Sequence, residues 1–319
     1  MANKSIIAFI LIIIITFNFI LILPIAFMSI QFSSYDIIDE SLSYEYVPDT
    51  PSSIEKLYLN VDVGNIEIRY VSIPVEYYVK IDVNIEMGGA NVKGKLYSDY
   101  FITCFQNTSS SLEFTFEILP NLNWIEVLSL IHNITLVVNI RSDIILDIMT
   151  VVNDGNFEMI IPFGVSIGNA ITNVTKGDIF YNFEYCIIDG NISGIIEEGN
   201  LDLKSYNVEY TQNSNWTLDS RNGDMNIEIY QYKEMGANIT GTAVIPSGNV
   251  KLVYEDNSVN VGAKFDFNYI SGTPGDATGF IVILWDSMFS YESLDFPAEN
   301  NYRLLLNSTG LRTIDIVSQ

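Results

Sequence analysis

Gly155-Asn-Phe-Glu-Met159, Gly177-Asp-Ile-Phe-Tyr181, Gly199-Asn-Leu-Asp-Leu203, Gly223-Asp-Met-Asn-Ile227 and Gly248-Asn-Val-Lys-Leu252 repeat one unit, Gly-[Asn/Asp]-apolar-x-apolar. The units begin 22, 22, 24 and 25 residues apart, and Gly272 follows after a further 24. A second turn signal lies 13 or 14 residues into four of them, at Gly168, Gly190, Gly236 and Gly262, with Gln212-Asn213 in the third. A fixed period, with a turn at one phase and alternating apolar residues at the next, is the mark of a β-solenoid. The spacing predicts about 22–25 residues per coil, each coil two strands and two turns. At about 4.8 Å per coil, five coils give a rod roughly 24 Å long. Asp154-Gly155, Asp189-Gly190 and Asn222-Gly223 suit left-handed turn geometry, with Gly155, Gly177, Gly199, Gly223 and Gly248 forming one corner ladder. An antiparallel meander would give similar turn spacing, but it does not require one phase to hold over five units.

On the N-terminal side the texture is also all-β. Leu57 to Val63 alternates, Gly64 turns it into Asn65 to Val71, and Tyr77–Ile85, Tyr100–Cys104, Leu112–Ile118 and Ile134–Ile140 follow in the same style. Trp124 to Ile131 reads as a short helix. The chain therefore divides into an anchor (1–32), an acidic linker (33–53), a β region (54–148), solenoid repeats (149–277) and C-terminal capping strands (278–319). The β region and the tail are expected to hide the terminal rungs, whose open edges would otherwise pair with other chains.

Ile6 to Ile30 is apolar apart from Thr16, Asn18, Pro24 and Ser29. As a helix it would be roughly 37 Å long, enough for a transmembrane span. Lys4 precedes it and the next basic residue is Lys56, which places the N-terminus in the cytoplasm and the bulk outside. A cleaved signal peptide competes with this signal anchor, although the run exceeds an ordinary signal core and no A-x-A site follows. A core helix is the third reading. Ser33 to Ser53, rich in Asp, Glu, Ser and Tyr with two prolines, reads as a stalk lifting the rest off the bilayer.

Fifteen basic against 39 acidic residues, a net charge of −24, argue against nucleic acid as a partner. The lone histidine, His132, removes most triads and multi-histidine metal sites. Cys104 and Cys186 are too few for a disulfide framework; they form one bridge outside the cell or remain two buried thiols. Seven sequons, at Asn107, Asn133, Asn173, Asn191, Asn215, Asn238 and Asn307, are glycosylation candidates and agree with export.

Catalytic patterns are weak. Gly164-Val-Ser-Ile-Gly168 has the form of a nucleophile elbow, but no histidine follows it. The pairs Asp143/Asp147 and Glu197/Glu198 suit glycoside hydrolysis, yet with 39 acids such pairs arise as solvated surface. Asn156, Asp178, Asn200, Asp224 and Asn249 would line one corner, either as oxygen ligands for Ca²⁺ or as a hydrogen-bonded ladder that satisfies the turns. Tyr181, Tyr185, Tyr206, Tyr210, Trp216, Tyr230, Tyr232 and Tyr254 are either packing or a face on which sugars stack.

The runs "GNIEIRY", "NFEMIIPFGV", "KGDIFYNF", "DGNISGII" and "NGDMNIEI" resemble the DUF4097 adhesin-type domain over roughly residues 55 to 275. That resemblance implies a cell-surface β-solenoid and brings no catalytic residue. The expected protein is a membrane-anchored, extracellular glycoprotein with an adhesin-like or structural role, non-catalytic and without a resident cofactor. Surface glycans or envelope proteins are its candidate partners. The alternatives are a carbohydrate- or ligand-binding receptor domain and, behind it, an envelope glycosidase or lyase.

Overall fold

Each Gly-[Asn/Asp] unit turns the chain from one sheet into another, and the strands on either side of that corner repeat lap after lap. The computed structural model describes residues 36–48, 54–89, 92–108, 110–122, 131–256, 261–268, 280–285, 288–293, 295–308 and 314–317. The apolar segment Ile6–Ile30, most of the short helix expected at 124–131, and Gly272 lie outside the described residues. Among the described residues no helix is long and apolar enough to cross a membrane. The described chain is all-β, with one 3-10 turn at Tyr97–Asp99.

In chain order the strands are β1 (Asp36–Tyr46), β2 (Lys56–Val63), β3 (Asn65–Val71), β4 (Val79–Gly89), β5 (Phe101–Asn107), β6 (Ser111–Ile118) and β7 (Ile131–Arg141). The regular laps follow with β8 (Asp147–Asp154), β9 (Phe157–Ile161), β10 (Ser166–Ile167), β11 (Ala170–Lys176), β12 (Ile179–Glu184) and β13 (Ile187–Ile188). They continue with β14 (Ile192–Glu198), β15 (Leu201–Tyr206), β16 (Glu209–Tyr210), β17 (Ser214–Ser220), β18 (Met225–Gln231), β19 (Ile239–Ile245) and β20 (Val250–Asp256). The chain ends in β21 (Val261–Asn268), β22 (Phe280–Trp285), β23 (Met288–Ser293), β24 (Asn300–Ser308) and β25 (Ile314–Val317).

Two large sheets face each other. The first runs β1-β4-β7-β3-β9-β12-β15-β18-β20-β25, and the second runs β22-β23-β21-β24-β19-β17-β14-β11-β8-β2-β6-β5. Register holds from lap to lap: Phe157, Ile179, Leu201, Met225 and Val250 stand opposite one another in parallel pairs. Because side chains alternate, residues two and four past each corner glycine point inward and the ones between point out. All of Phe157, Met159, Ile179, Tyr181, Leu201, Leu203, Met225 and Ile227 are buried in one continuous core.

Three expectations about the laps need correction. Three successive laps have three strands, not two, because β10, β13 and β16 form a small third sheet between the large ones, whereas the lap of β17 and β18 keeps two. The break at residue 148 does not separate two parts: β2 pairs with β8 and β3 with β9. Gly64-Asn65-Ile66-Glu67-Ile68 is thus a sixth copy of the unit, 91 residues ahead of Gly155 but stacked directly on it. At the other end β21, expected to continue the repeats, leaves the order. It lies outside β24, and β24 and β25 make the lap next to β19 and β20.

The acidic linker also differs. Residues 36–46 form β1, paired along its whole length with β4. Only Ile38 of this strand is buried, so composition gave little strand signal. The strand carries Asp36, Asp39, Glu40 and Glu45, and charged side chains on an end strand discourage pairing with another chain. Antiparallel β1, β4 and β5 close one end of the stack, and antiparallel β22 and β23 lie at the other.

Candidate ligand-binding face

The corner between the first sheet and the third is where the chain displays aromatic rings. Along the margin of the first sheet, Glu184, Tyr206, Tyr230 and Glu255 are register neighbours and point outward. Just beyond them, the corners themselves present Phe163, Tyr185 and Tyr232. Phe163 is 78% exposed, beside the turn at Gly164, and its ring centre lies 6.1 Å from that of Tyr185. Tyr185 is 5.0 Å from Tyr206, which is 5.9 Å from Tyr230 and 5.6 Å from Tyr232. The four tyrosines are half-buried, and neighbouring rings are tilted against one another by 40–76°. The Lys233 ammonium lies 5.0 Å from the centre of the Tyr185 ring.

Backbone geometry singles out this corner. Tyr185 has φ 50° and Asn207 φ 49°, the only non-glycine residues with positive φ among those described. Asn tolerates that region, and its Oδ1 accepts the Tyr232 N–H at 2.6 Å, so Asn207 fastens the corner. A tyrosine there costs about 1–2 kcal/mol that glycine would avoid. The phenols are tied to their surroundings: a hydrogen bond to Tyr185 raises the Tyr206 pKa, and burial followed by the Glu255 carboxylate raises that of Tyr232. Next to the track, Glu228 accepts from Lys251 at 3.0 Å and faces Lys204 at 3.8 Å. Burial pushes the Glu228 carboxyl up, but the Asn226 and Lys251 hydrogen bonds outweigh it and hold the pKa below its usual value.

The eight aromatics named from the sequence thus divide. Tyr185, Tyr206, Tyr230 and Tyr232 line the outside, whereas Tyr181, Tyr210, Trp216 and Tyr254 are core. Tyr181 donates its hydroxyl to the Ser193 carbonyl at 2.8 Å. Phe163, the most exposed ring of the track, was not among the eight; its signal was its place between Pro162 and Gly164 at a corner.

Sequence comparison adds no assignment. No family model matches the chain, and no curated protein matches it. Among solved structures, one described as a "putative cell adhesion protein" from Clostridium sporogenes is 14% identical, with a TM-score of 0.34, covering 88% of this chain and 100% of its own. A "putative adhesin" from Bacteroides fragilis is 10% identical at a TM-score of 0.34, covering 88% and 97%. A "putative lipid binding protein" from Parabacteroides distasonis is 8% identical at 0.29, covering 87% and 97%. Likeness at this level carries no conclusion about fold or activity.

The remaining candidate residues have structural partners. Down the glycine corner, Oδ1 of Asn65, Asn156, Asp178, Asn200 and Asp224 accepts the backbone N–H of Asn156, Asp178, Asn200, Asp224 and Asn249, at 2.7–2.9 Å. This is the hydrogen-bonded ladder. Its carboxylates, Asp178 and Asp224, stand two laps apart, about 10 Å, too far to share one calcium ion. Among the described residues no group of three or more His, Cys, Asp or Glu could hold a metal.

A second ladder, at the corner before β11, was missed. Oδ1 of Asp147, Asn169 and Asn191 accepts the N–H of Asn169, Asn191 and Asn215 at 2.7, 2.8 and 2.9 Å. Its signal was the Gly-Asn pair at Gly168 and Gly190. Two sequon asparagines, Asn191 and Asn215, therefore sit on this ladder, and Asn238 accepts the Asn301 N–H at 2.9 Å. Asn107, Asn133, Asn173, Asn191 and Asn215 are exposed, while Asn238 and Asn307 are half-buried.

Cys104 and Cys186 are free, so of the two readings the bridge is not formed and the thiols are separate, though only one of them is buried. Cys104 is exposed on β5, whereas Cys186 is buried inside the lap, where burial pushes its thiol up to about 12. Ser166 of the Gly-x-Ser-x-Gly run lies in β10, a two-residue strand of the third sheet and not an elbow before a helix. Asp143 is held by Arg141 at 2.6 Å, Asp147 by Asn169, and Glu197 by Arg221 at 2.8 Å. A cavity of about 620 Å³ lies between Ile118–Leu122 and the acids Asp62, Asp154, Glu197 and Glu198. Asp62 there accepts the Ile118 N–H and the Asn153 amide, each at 2.8 Å.

Proposed function

We propose that the chain is a non-catalytic β-solenoid of the DUF4097 adhesin type, displayed at the cell surface with an adhesin-like or structural role. Ile6–Ile30 is its signal anchor, the N-terminus is cytoplasmic, and the bulk is extracellular and glycosylated at some of the seven sequons. The observation that carries this reading is the in-register stack itself, whose polar residues are spent on building it. Corner side chains bond the backbone of the next lap, and three of the four paired carboxylates, Asp143, Asp147 and Glu197, are tied to Arg141, Asn169 and Arg221, with Glu198 beside the cavity. Such a column presents a long, stiff outer surface, as a scaffold or an adhesive module requires. The chain's acidity favours solubility and disfavours contact with anionic polymers.

Protease shaving of intact cells tests the placement. The proposal predicts that the full-length chain is cut in intact cells and leaves a short, membrane-retained N-terminal stub. A chain that becomes sensitive only after lysis would contradict it. The receptor-domain reading is favoured by one specific feature, the aromatic track.

A further inference from the structure

We propose that Phe163, Tyr185, Tyr206, Tyr230 and Tyr232 form a binding track for a neutral, linear polysaccharide lying parallel to the column axis. The inference gives the surface-display reading a ligand class. Three observations converge on it. First, the track follows the repeat: one or two rings stand on each of four successive laps, with centres 5.0–6.1 Å apart. Rings stepped at that interval make a line rather than a pocket, and a line suits a polymer with a short chemical repeat. Second, the rings carry polar edges. Four of the five are phenols, and the flanking outward side chains are Glu184, Lys204, Glu228, Lys233 and Glu255. A pyranose, with a C–H face and a rim of hydroxyls, matches a flat ring bordered by hydrogen-bonding groups. An aliphatic protein partner would leave those phenols and charges unpaired.

Third, folding alone does not account for the placement. Phe163 leaves most of a large apolar ring in water, which wastes about 1.5–3 kcal/mol of burial. Tyr185 occupies a left-handed backbone position where glycine would be cheaper. Both residues sit at the same corner, one lap apart, with ring centres 6.1 Å apart and planes tilted by 58°. Charge selects among polymers through the chain as a whole: along the margin Glu184, Glu228 and Glu255 are matched by Lys204, Lys233 and Lys251, but the net charge of −24 repels anionic chains.

Affinity electrophoresis of the full-length chain in phosphatidylcholine nanodiscs is the test. The gels contain hydroxyethylcellulose, mixed-linkage β-glucan, galactomannan, arabinoxylan or soluble starch, with alginate as the anionic comparison. The expected result is retardation in at least one neutral gel and none in alginate. Tyr206→Ala should weaken the retarding interaction at least tenfold, and Tyr206→Phe, which keeps the ring, should restore most of it. Phe163→Ala, at a position with little to lose on folding, should weaken it as well, with an unchanged melting temperature. No retardation in any neutral gel, or retardation indifferent to both alanine variants, would overturn the proposal. So would mass photometry showing discs paired through this face and separated by Phe163→Ala, which would assign the track to a second copy of the chain. None of these outcomes depends on where the chain resides in the cell, so the track and the surface placement fail separately.

Discussion

Gly199→Ala should destabilise the protein by about 4 kcal/mol or more, lowering the melting temperature by roughly 8 °C, if it folds at all. Two costs add. Gly199 has φ +141°, a backbone conformation that an alanine reaches only under strain of about 1–3 kcal/mol. The added Cβ would also fall within the van der Waals envelope of the Gly177 carbonyl oxygen, one lap below. That carbonyl cannot move aside alone, because neighbouring corner groups are bonded across laps: the Gly177 N–H donates to the Glu198 carbonyl and the Gly199 N–H to that of Asn222, each at 3.0 Å. Gly94→Ala is the control. Gly94 also has positive φ, +71°, but nothing lies within 4 Å of the position its Cβ would take, so it should cost only about 1 kcal/mol. Thermal unfolding followed by circular dichroism reads both. Equal, small losses would mean that the glycine corner is not a tight stack.

Trp216→Ala is the second large effect, at about 3–5 kcal/mol. Trp216 is fully buried on β17, with its ring centre 6.4 Å from Tyr210 and 5.9 Å from Tyr302. Its register partner in the next lap is Gly241, where a Cβ would press against Trp216 Cβ, so the tryptophan occupies space that its neighbour leaves free. Removing it opens a cavity that rigid sheets on both sides cannot close. Because stacked repeats depend chiefly on their neighbours, the loss should be local. Tyr302 belongs to β24, so hydrogen exchange should accelerate at β19 and β24 while β8, β9 and β12 keep wild-type protection. Uniform acceleration along the column would contradict that nearest-neighbour picture.

How much of this could be read in the sequence depends on distance along the chain. The glycine ladder and the inward alternation were legible because they recur within 25 residues. Gly64-Asn65 carries the same motif, but 91 residues separate it from Gly155, and β4 to β7 fill the gap, so the period was broken where the stack was not. The third strand of three laps was hidden because β10, β13 and β16 are two residues long, too short to show alternation. The exchange of β21 and β24 is a pairing between distant segments, on which no local pattern reports. For β1, the polar composition outweighed a strand pattern with a single buried side chain, and pairing with β4 decided the outcome.

The aromatic face was half legible. Parity from the corner glycine sorts most of it: Tyr181 and Tyr254 fall at even offsets and are buried, whereas Tyr206 and Tyr230 fall seven residues past Gly199 and Gly223 and point out. Tyr185 breaks the rule, since an even offset would place it inside. Its left-handed φ turns the chain before that parity applies, and no residue type in the sequence signals such a turn at a tyrosine.

The stacking of laps is the central claim, and one distance tests it most directly. Glu158 and Lys251 are 93 residues apart in sequence but occupy equivalent rungs on β9 and β20, four laps apart through the register partners Phe180, Asp202 and Asn226. With the exposed Cys104 changed to serine, spin labels at Glu158→Cys and Lys251→Cys can be measured by double electron–electron resonance. Four steps of about 4.8 Å predict a single, narrow distribution centred near 19 Å between the backbone positions, broadened by the reach of the labels. A distribution centred beyond about twice that distance, or several populations of similar weight, would mean that the laps do not stack in one column.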